Sequence, residues 1–202
     1  MSASGPKNGV TRNYPFVPGI DAVGKVSQSS SDRFNIGDEV IVTGYSMGMS
    51  VYGGFGEVVH VPASWAVKLP SNLSAKEAMN YGTAGLTAAA SIKKIIDSGI
   101  DKDKPILVSG ATGGVGSVAI NILNKLGYKV HAITGKNTQD QFLKSIGADS
   151  VLLRSEFMEN PTRPLDKAMY GGAVDTVGGD ILAKIISMIA PRLSLIHISE
   201  PT

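Results

Sequence analysis

The stretch Ile106-Leu107-Val108-Ser109-Gly110-Ala111-Thr112-Gly113-Gly114-Val115-Gly116 constrains this chain more than any other. A short aliphatic run, read as a strand over Ile106–Ser109, passes into a turn in which four of seven residues, from Gly110 to Gly116, are glycine. A helical pattern then runs from Gly114 to Leu126 and stops at Gly127. A strand that turns this sharply into a helix points the first helical N–H groups at a crevice, where side chains would block an approaching pyrophosphate. Ala111, Gly113 and Gly116 fit the dinucleotide fingerprint, with Ala in place of the first glycine. Gly110 and Gly114 loosen the turn further. Glycine-rich turns are common, but this one follows a strand, opens a helix and leads to a second strand over Lys129–Ile133, the context the fingerprint requires. Ala111, Thr112, Gly113, Gly114, Val115 and Gly116 are therefore the expected phosphate-facing residues.

The end of the second strand indicates which nicotinamide cofactor the turn serves. A site for NAD(H) usually carries an acid roughly 20 residues beyond the glycines, to accept from the ribose 2′-OH. Here the chain reads Ile133-Thr134-Gly135-Lys136-Asn137-Thr138, with no acid. A hydroxyl, a glycine and a cation at Thr134, Gly135 and Lys136 suit a 2′-phosphate, which favours NADP(H). Arg154, past the third strand, is a candidate second cation, with a solvated surface arginine as the alternative.

From Pro105 onward, strand and helix patterns alternate, which predicts a parallel sheet covered by helices on both faces. Further strands are expected at Ser150–Leu153 and Gly172–Val177, with helices at Asp140–Ile146 and Ile181–Ile189. The first 70 residues differ in texture. Short apolar segments at Ala22–Val26, Glu39–Val42, Gly56–Val61 and Ala66–Leu69 lie between Gly, Ser, Asp and Pro clusters, as in a β-rich unit. Ser74 and Glu77 form a capping box opening a helix, and a second helix is expected over Ala84–Asp97. The boundary between the two regions is placed near Ser71.

Composition removes several partner classes. With 19 basic and 17 acidic residues interspersed, no cationic stripe is available to follow a nucleic-acid backbone. No apolar run approaches the ~20 residues of a membrane span, and the N-terminus has no secretory pattern. The absence of cysteine excludes disulfides and thiolate metal sites, and a cytoplasmic protein is expected. His60, His131 and His197 are far apart in sequence, and His60 and His131 are read as strand residues rather than ligands.

Four segments carry a family resemblance. These are Asn13-Tyr14-Pro15-Phe16-Val17-Pro18-Gly19-Ile20-Asp21, Tyr81-Gly82-Thr83-Ala84-Gly85-Leu86-Thr87-Ala88, Gly110–Gly116 and Gly172-Ala173-Val174-Asp175-Thr176-Val177-Gly178-Gly179. Over about 190 residues in the right order, the chain resembles the acrylyl-CoA reductase (NADPH) and quinone oxidoreductase branch of the medium-chain dehydrogenase/reductase superfamily. The resemblance implies an α/β chain, with a partial GroES-like catalytic domain over residues 1–70 and an incomplete, doubly wound Rossmann sheet over residues 71–192. It also implies NADPH-dependent conjugate reduction: hydride to the β-carbon of an α,β-unsaturated thioester or ketone, charge on the carbonyl oxygen, and a proton to the α-carbon. Gly19-Ile20-Asp21 stands where zinc-dependent relatives carry Gly-His-Glu, so no catalytic metal is expected.

By the same resemblance, Thr83 lies beside the nicotinamide, with Thr87 in the same segment; helix capping is the alternative for Thr83. Val177 and Gly178 are expected at the nicotinamide or its ribose, against an ordinary tight turn. Tyr45 and Tyr52 flank the Gly53-Gly54-Phe55 turn on the catalytic side, where a buried core position is favoured over a proton-donor role. Arg12 and Tyr14 are placed near the substrate entrance. No catalytic residue is assigned, because the family's Asn-Tyr-Lys-Asp segment is absent. The chain is accordingly expected to be cut at both ends, with residues 193–202 as a non-native tail or, alternatively, a divergent sixth strand. The family's late dimer-forming strand is likewise absent, which predicts an open sheet edge and poor solubility. Two functions remain open: a zinc-independent NADPH-dependent reductase of enoyl-CoA thioesters or quinones, homodimeric at full length, or a non-catalytic NADP(H)-binding fragment.

Overall fold

The computed structural model describes residues 14–159, 168–189 and 195–197, and these form two compact units, Met1–Thr83 and Ala84–Thr202. The division into compact units falls between Thr83 and Ala84. Asp21 is the reason: its carboxylate accepts the Thr83 N–H and hydroxyl, each at 2.8 Å, and ties this segment to the first unit.

The first unit contains a three-stranded antiparallel sheet of β1 (Asp21–Lys25), β2 (Glu39–Thr43) and β3 (Ala66–Lys68), with β2 in the middle. Its core is small, with Phe34, Val42, Met47 and Ala66 buried together. The expected strand at Gly56–Val61 does not form. A strand exists through its partners, and among the described residues none pairs with this stretch, where Val58 is 78% exposed. His60 consequently lies in irregular, exposed chain rather than in a strand.

Helix α1 (Ala75–Asp97) opens on the expected capping box: Ser74 Oγ accepts the Glu77 N–H at 3.2 Å, and Glu77 Oε2 accepts the Ser74 N–H at 2.8 Å. The two expected helices are one element with a break at Gly82, whose φ of 47° and ψ of −149° lie outside the helical region. A Cβ there would come within 2.7 Å of Asp21 Oδ2, so both the conformation and the space require glycine.

In the second unit, β4 (Ile106–Val108), β5 (Val130–Thr134), β6 (Ser150–Leu153), β7 (Gly172–Asp175) and β8 (Leu195–His197) form a parallel sheet in the order β6-β5-β4-β7-β8. The period-2 alternation along the strands sorts the core. Ile106, Val108, Val130, Ala132 and Val174 face Ile92 and Ile95 of α1 and Ile120 and Leu123 of α2 (Gly114–Lys125). Leu107, Ile133 and Ala173 join a second cluster with Phe157 of α4 (Arg154–Met158) and with Ile181 and Ile185 of α5 (Gly179–Met188). Helix α3 (Asp140–Ser145) adds Leu143 to the first cluster. This is the expected doubly wound arrangement. Helix α4 was not foreseen, since five residues are too few for periodicity to register. Leu195–His197 pairs in parallel with β7, while residues 193–194 and 198–202 of the expected tail lie outside the described residues.

Candidate functional site

The sheet order reverses around β4, so the β4–α2 and β7–α5 turns lie side by side at the strands' carboxyl ends, where open α/β sheets form their ligand crevice. The β4–α2 turn is the glycine-rich stretch. Gly110 has φ of 58°, and its Gly113-facing carbonyl accepts the Gly113 N–H at 2.9 Å. A Cβ at Gly110 would collide with the Thr176 hydroxyl, and one at Gly116 would lie 2.9 Å from Ala111 Cα. Ala111 is fully buried and donates its N–H to the Ile133 carbonyl at 3.2 Å, holding the turn against β5. A Cβ at Gly114 would stand 3.1 Å from Ala84 Cβ, which brings the start of the second half of α1 to the same turn. Thr87, half-buried on that half, gives its carbonyl to the Ser91 hydroxyl at 2.8 Å.

Helix α2 has Gly113 as its N-cap, with no side-chain cap and no acid in its first turn. Its leading N–H groups are therefore left for a ligand or water. Helix α5 begins differently. Asp175, completely buried at the end of β7, accepts the Val177 N–H at 3.3 Å and the Gly178 N–H at 3.0 Å, and Asp180 follows in the first turn. The first turn of α2 carries no acid, whereas that of α5 carries Asp180, which disfavours an anion there.

A cleft of about 540 Å³ runs beside the β7–α5 turn, with Gly135, Arg154, Ser155, Val177, Gly178 and Asp180 in its wall. The Arg154 side chain crosses Gly135 closely enough that a Cβ there would meet its guanidinium nitrogen at 3.4 Å. Thr134 is buried, and its hydroxyl accepts the Lys136 N–H at 3.1 Å, which orders the turn carrying Gly135 and exposed Lys136. Val177 and Gly178, expected at the nicotinamide or its ribose, share the cleft with Gly135 and Arg154, expected at a 2′-phosphate. Ser155 and Asp180 were not singled out in the sequence. Their signal lay only in adjacency to Arg154 and Gly178.

In the first unit, Thr83 has its N–H and hydroxyl committed to Asp21, a cap supplied to the restarted helix by a residue 62 positions away. Tyr45 and Tyr52 are not core residues: they are 56% and 62% exposed, with Tyr45 stacked on Trp65 at 4.9 Å. Backbone N–H groups of Gly53 and Gly54 pair with the carbonyls of Val17 and Gly19 at 2.7 and 2.9 Å. Tyr14 is exposed, and Arg12 lies outside the described residues. Among the described residues no group of three or more acidic or histidine side chains could hold a metal ion, and no helix is long and apolar enough to cross a membrane.

Comparison with known proteins agrees with this architecture. Residues 4–71 match the alcohol dehydrogenase GroES-like domain. The chain is 43% identical over 186 residues to the acrylyl-CoA reductase AcuI of Ruegeria pomeroyi, covering 92% of this chain and 56% of that protein. The crystal structure of Escherichia coli YhdH with bound NADPH superposes with a TM-score of 0.92 at 41% identity, covering 98% of this chain and 61% of the other. That of Bacillus subtilis yhfP with NAD bound gives 0.89 at 46% identity, over 93% and 57%. The chain spans about half the length of the curated relatives it matches. In its GroES-like segment, its Rossmann sheet and its identity to these relatives, the chain is similar to members of the medium-chain dehydrogenase/reductase superfamily.

Proposed function

We propose that this chain binds NADP(H) and forms the cofactor-binding part of a cytoplasmic reductase of activated carbon–carbon double bonds, with acrylyl-CoA, a related enoyl thioester or a quinone as substrate. The observation that carries the reading is the cleft in which the Arg154 guanidinium lies over side-chain-less Gly135, in a unit whose glycine turn opens the uncapped helix α2. The residues fit the cofactor: the glycines leave room for its pyrophosphate against α2, and Arg154 with Lys136 offers cations to a 2′-phosphate that a carboxylate would repel. When bound, the cofactor supplies the hydride. Ala111, Thr112, Gly113, Gly114, Val115 and Gly116 shape the phosphate turn, Thr134 orders the Gly135–Lys136 corner, and Val177 and Gly178 close the cleft's far wall. Thr83 and Thr87 are assigned to the nicotinamide end through the family resemblance.

The test is a direct titration. NADPH is expected to bind at least about ten-fold more tightly than NADH. Arg154→Ala should weaken NADPH about 10- to 100-fold, the span of a charge-assisted contact worth ~1.5–3 kcal/mol, while leaving NADH unchanged. Equal affinity of the wild-type chain for both cofactors would refute the assignment of the cleft. Consumption of NADPH with acrylyl-CoA or a quinone separates the reductase from the non-catalytic binding fragment.

A further inference from the structure

We propose that Asp175, linked to Ser109, is a positioning residue for the dinucleotide cleft, holding the Val177–Gly178 wall in register with the glycine turn. The inference rests on the NADP(H) reading above. Asp175 has no solvent exposure, and a carboxylate presents about four acceptor positions. All are used. Oδ1 accepts the Ser109 hydroxyl and the Val177 N–H, and Oδ2 accepts the Gly178 N–H and meets His197 Nδ1 at 2.6 Å. Ser109 continues the network: its Oγ accepts the Thr176 N–H at 3.0 Å, and its carbonyl accepts the Thr176 hydroxyl at 3.1 Å. Ser109, which immediately precedes the phosphate turn, is thus joined to the β7–α5 turn by three hydrogen bonds, two to Thr176 and one through Asp175.

A buried charge of this kind is a poor way to hold a strand in a sheet. Burying a carboxylate costs several kcal/mol, and an apolar side chain of similar volume often stabilises a core as well or better. An apolar side chain cannot gather the N–H groups of a turn whose Gly178 has φ of 77°. The carboxylate does so, and its bonds run into the turn that walls the cleft. Val177, a β-branched side chain 41% exposed, is held out on that wall instead of packing into the core. The Val177 and Gly178 N–H groups are committed to Asp175, so these two residues contribute shape to the wall rather than backbone donors.

The test compares wild type, Asp175→Asn, Ser109→Ala and the double variant of the 202-residue chain. Each is titrated with NADPH and with adenosine 2′,5′-bisphosphate, recording Kd, number of sites per chain and Tm. Asparagine keeps the volume but turns one acceptor into a donor facing another donor. Asp175→Asn is therefore expected to raise Kd for both probes at least about ten-fold while each chain retains one site. Ser109→Ala leaves both backbone bonds to Asp175 and should raise Kd less, with no further increase when combined with Asp175→Asn. A purely structural role would lower Tm and the number of sites and leave the Kd of the remaining sites unchanged, which overturns the proposal. If Asp175→Asn does not fold, an unchanged Kd in Ser109→Ala overturns it equally. Failure of the wild-type chain to bind either probe would instead remove the NADP(H) reading, and this inference with it.

Discussion

Single residues in this chain are constrained by what their backbone must approach. Gly110 combines a left-handed φ with the Thr176 hydroxyl where a Cβ would stand, so Gly110→Ala should cost about 1–3 kcal/mol and weaken NADPH binding more than Gly113→Ala. Urea unfolding and cofactor titration of the two variants check this; equal effects would mean that the collision at Thr176 does not matter. His131 shows what burial does to a titratable group. Desolvation in β5 lowers its pKa below 6.5, partly offset by the Asp149 carboxylate, and its ring meets Tyr170 edge-on at 5.6 Å. The unfolded chain then takes up the proton more readily than the folded one, so stability contributed by neutral His131 is lost as pH falls below 6.5. His131→Phe keeps the ring contact and removes the titration. The urea midpoint of that variant should depend less steeply on pH between 7 and 5 than wild type, and an identical slope would dismiss the effect.

At the scale of elements, local signals placed most of the strands and helices to within a residue or two. The Ser74–Glu77 box marked the start of α1, and the glycines at 127 and 147 marked the ends of α2 and α3. Ser74→Ala should destabilise the first unit by about 1 kcal/mol. The Ser74 hydroxyl and N–H lower the Glu77 pKa below 4.5, so this stabilisation is present above 4.5 and lost as pH falls through the folded value. Thermal unfolding of both proteins should show a larger difference at pH 7 than at pH 3, the part that remains at low pH being the bond from the Glu77 N–H to Ser74 Oγ. Two elements were misread because their state depends on partners. Gly56–Val61 has a strand's composition and no neighbour to pair with among the described residues, and Arg154–Met158 is too short to announce a helix. The break between the two expected helices was legible, but its anchoring by Asp21, far away in sequence, was not.

For the whole molecule, the contrast between the units has a measurable consequence. Among the described residues, the first unit's core cluster holds four buried apolar residues, whereas the second unit buries two clusters on either side of a parallel sheet. Trp65, the sequence's single tryptophan, lies in the first unit, while most helix lies in the second. In urea, Trp65 fluorescence should therefore change at a lower concentration than ellipticity at 222 nm. NADPH at 100 times its Kd should move the ellipticity midpoint, through about 2.7 kcal/mol of added stability. Coincident transitions by both probes would show one cooperative unit instead. The dinucleotide turn was readable from residues alone because backbone geometry, not packing, dictates glycine there, and a strand, turn and helix are adjacent in sequence. Alternation of strand and helix likewise sufficed for the parallel sheet. Neither signal could bring Arg154 over Gly135, Val177 into the same cleft, or Asp175 against Ser109. Those pairs are 19 to 66 residues apart, and only the packed sheet order, with β7 beside β4 and β6 beside β5, brings them within a hydrogen bond or a van der Waals contact of one another.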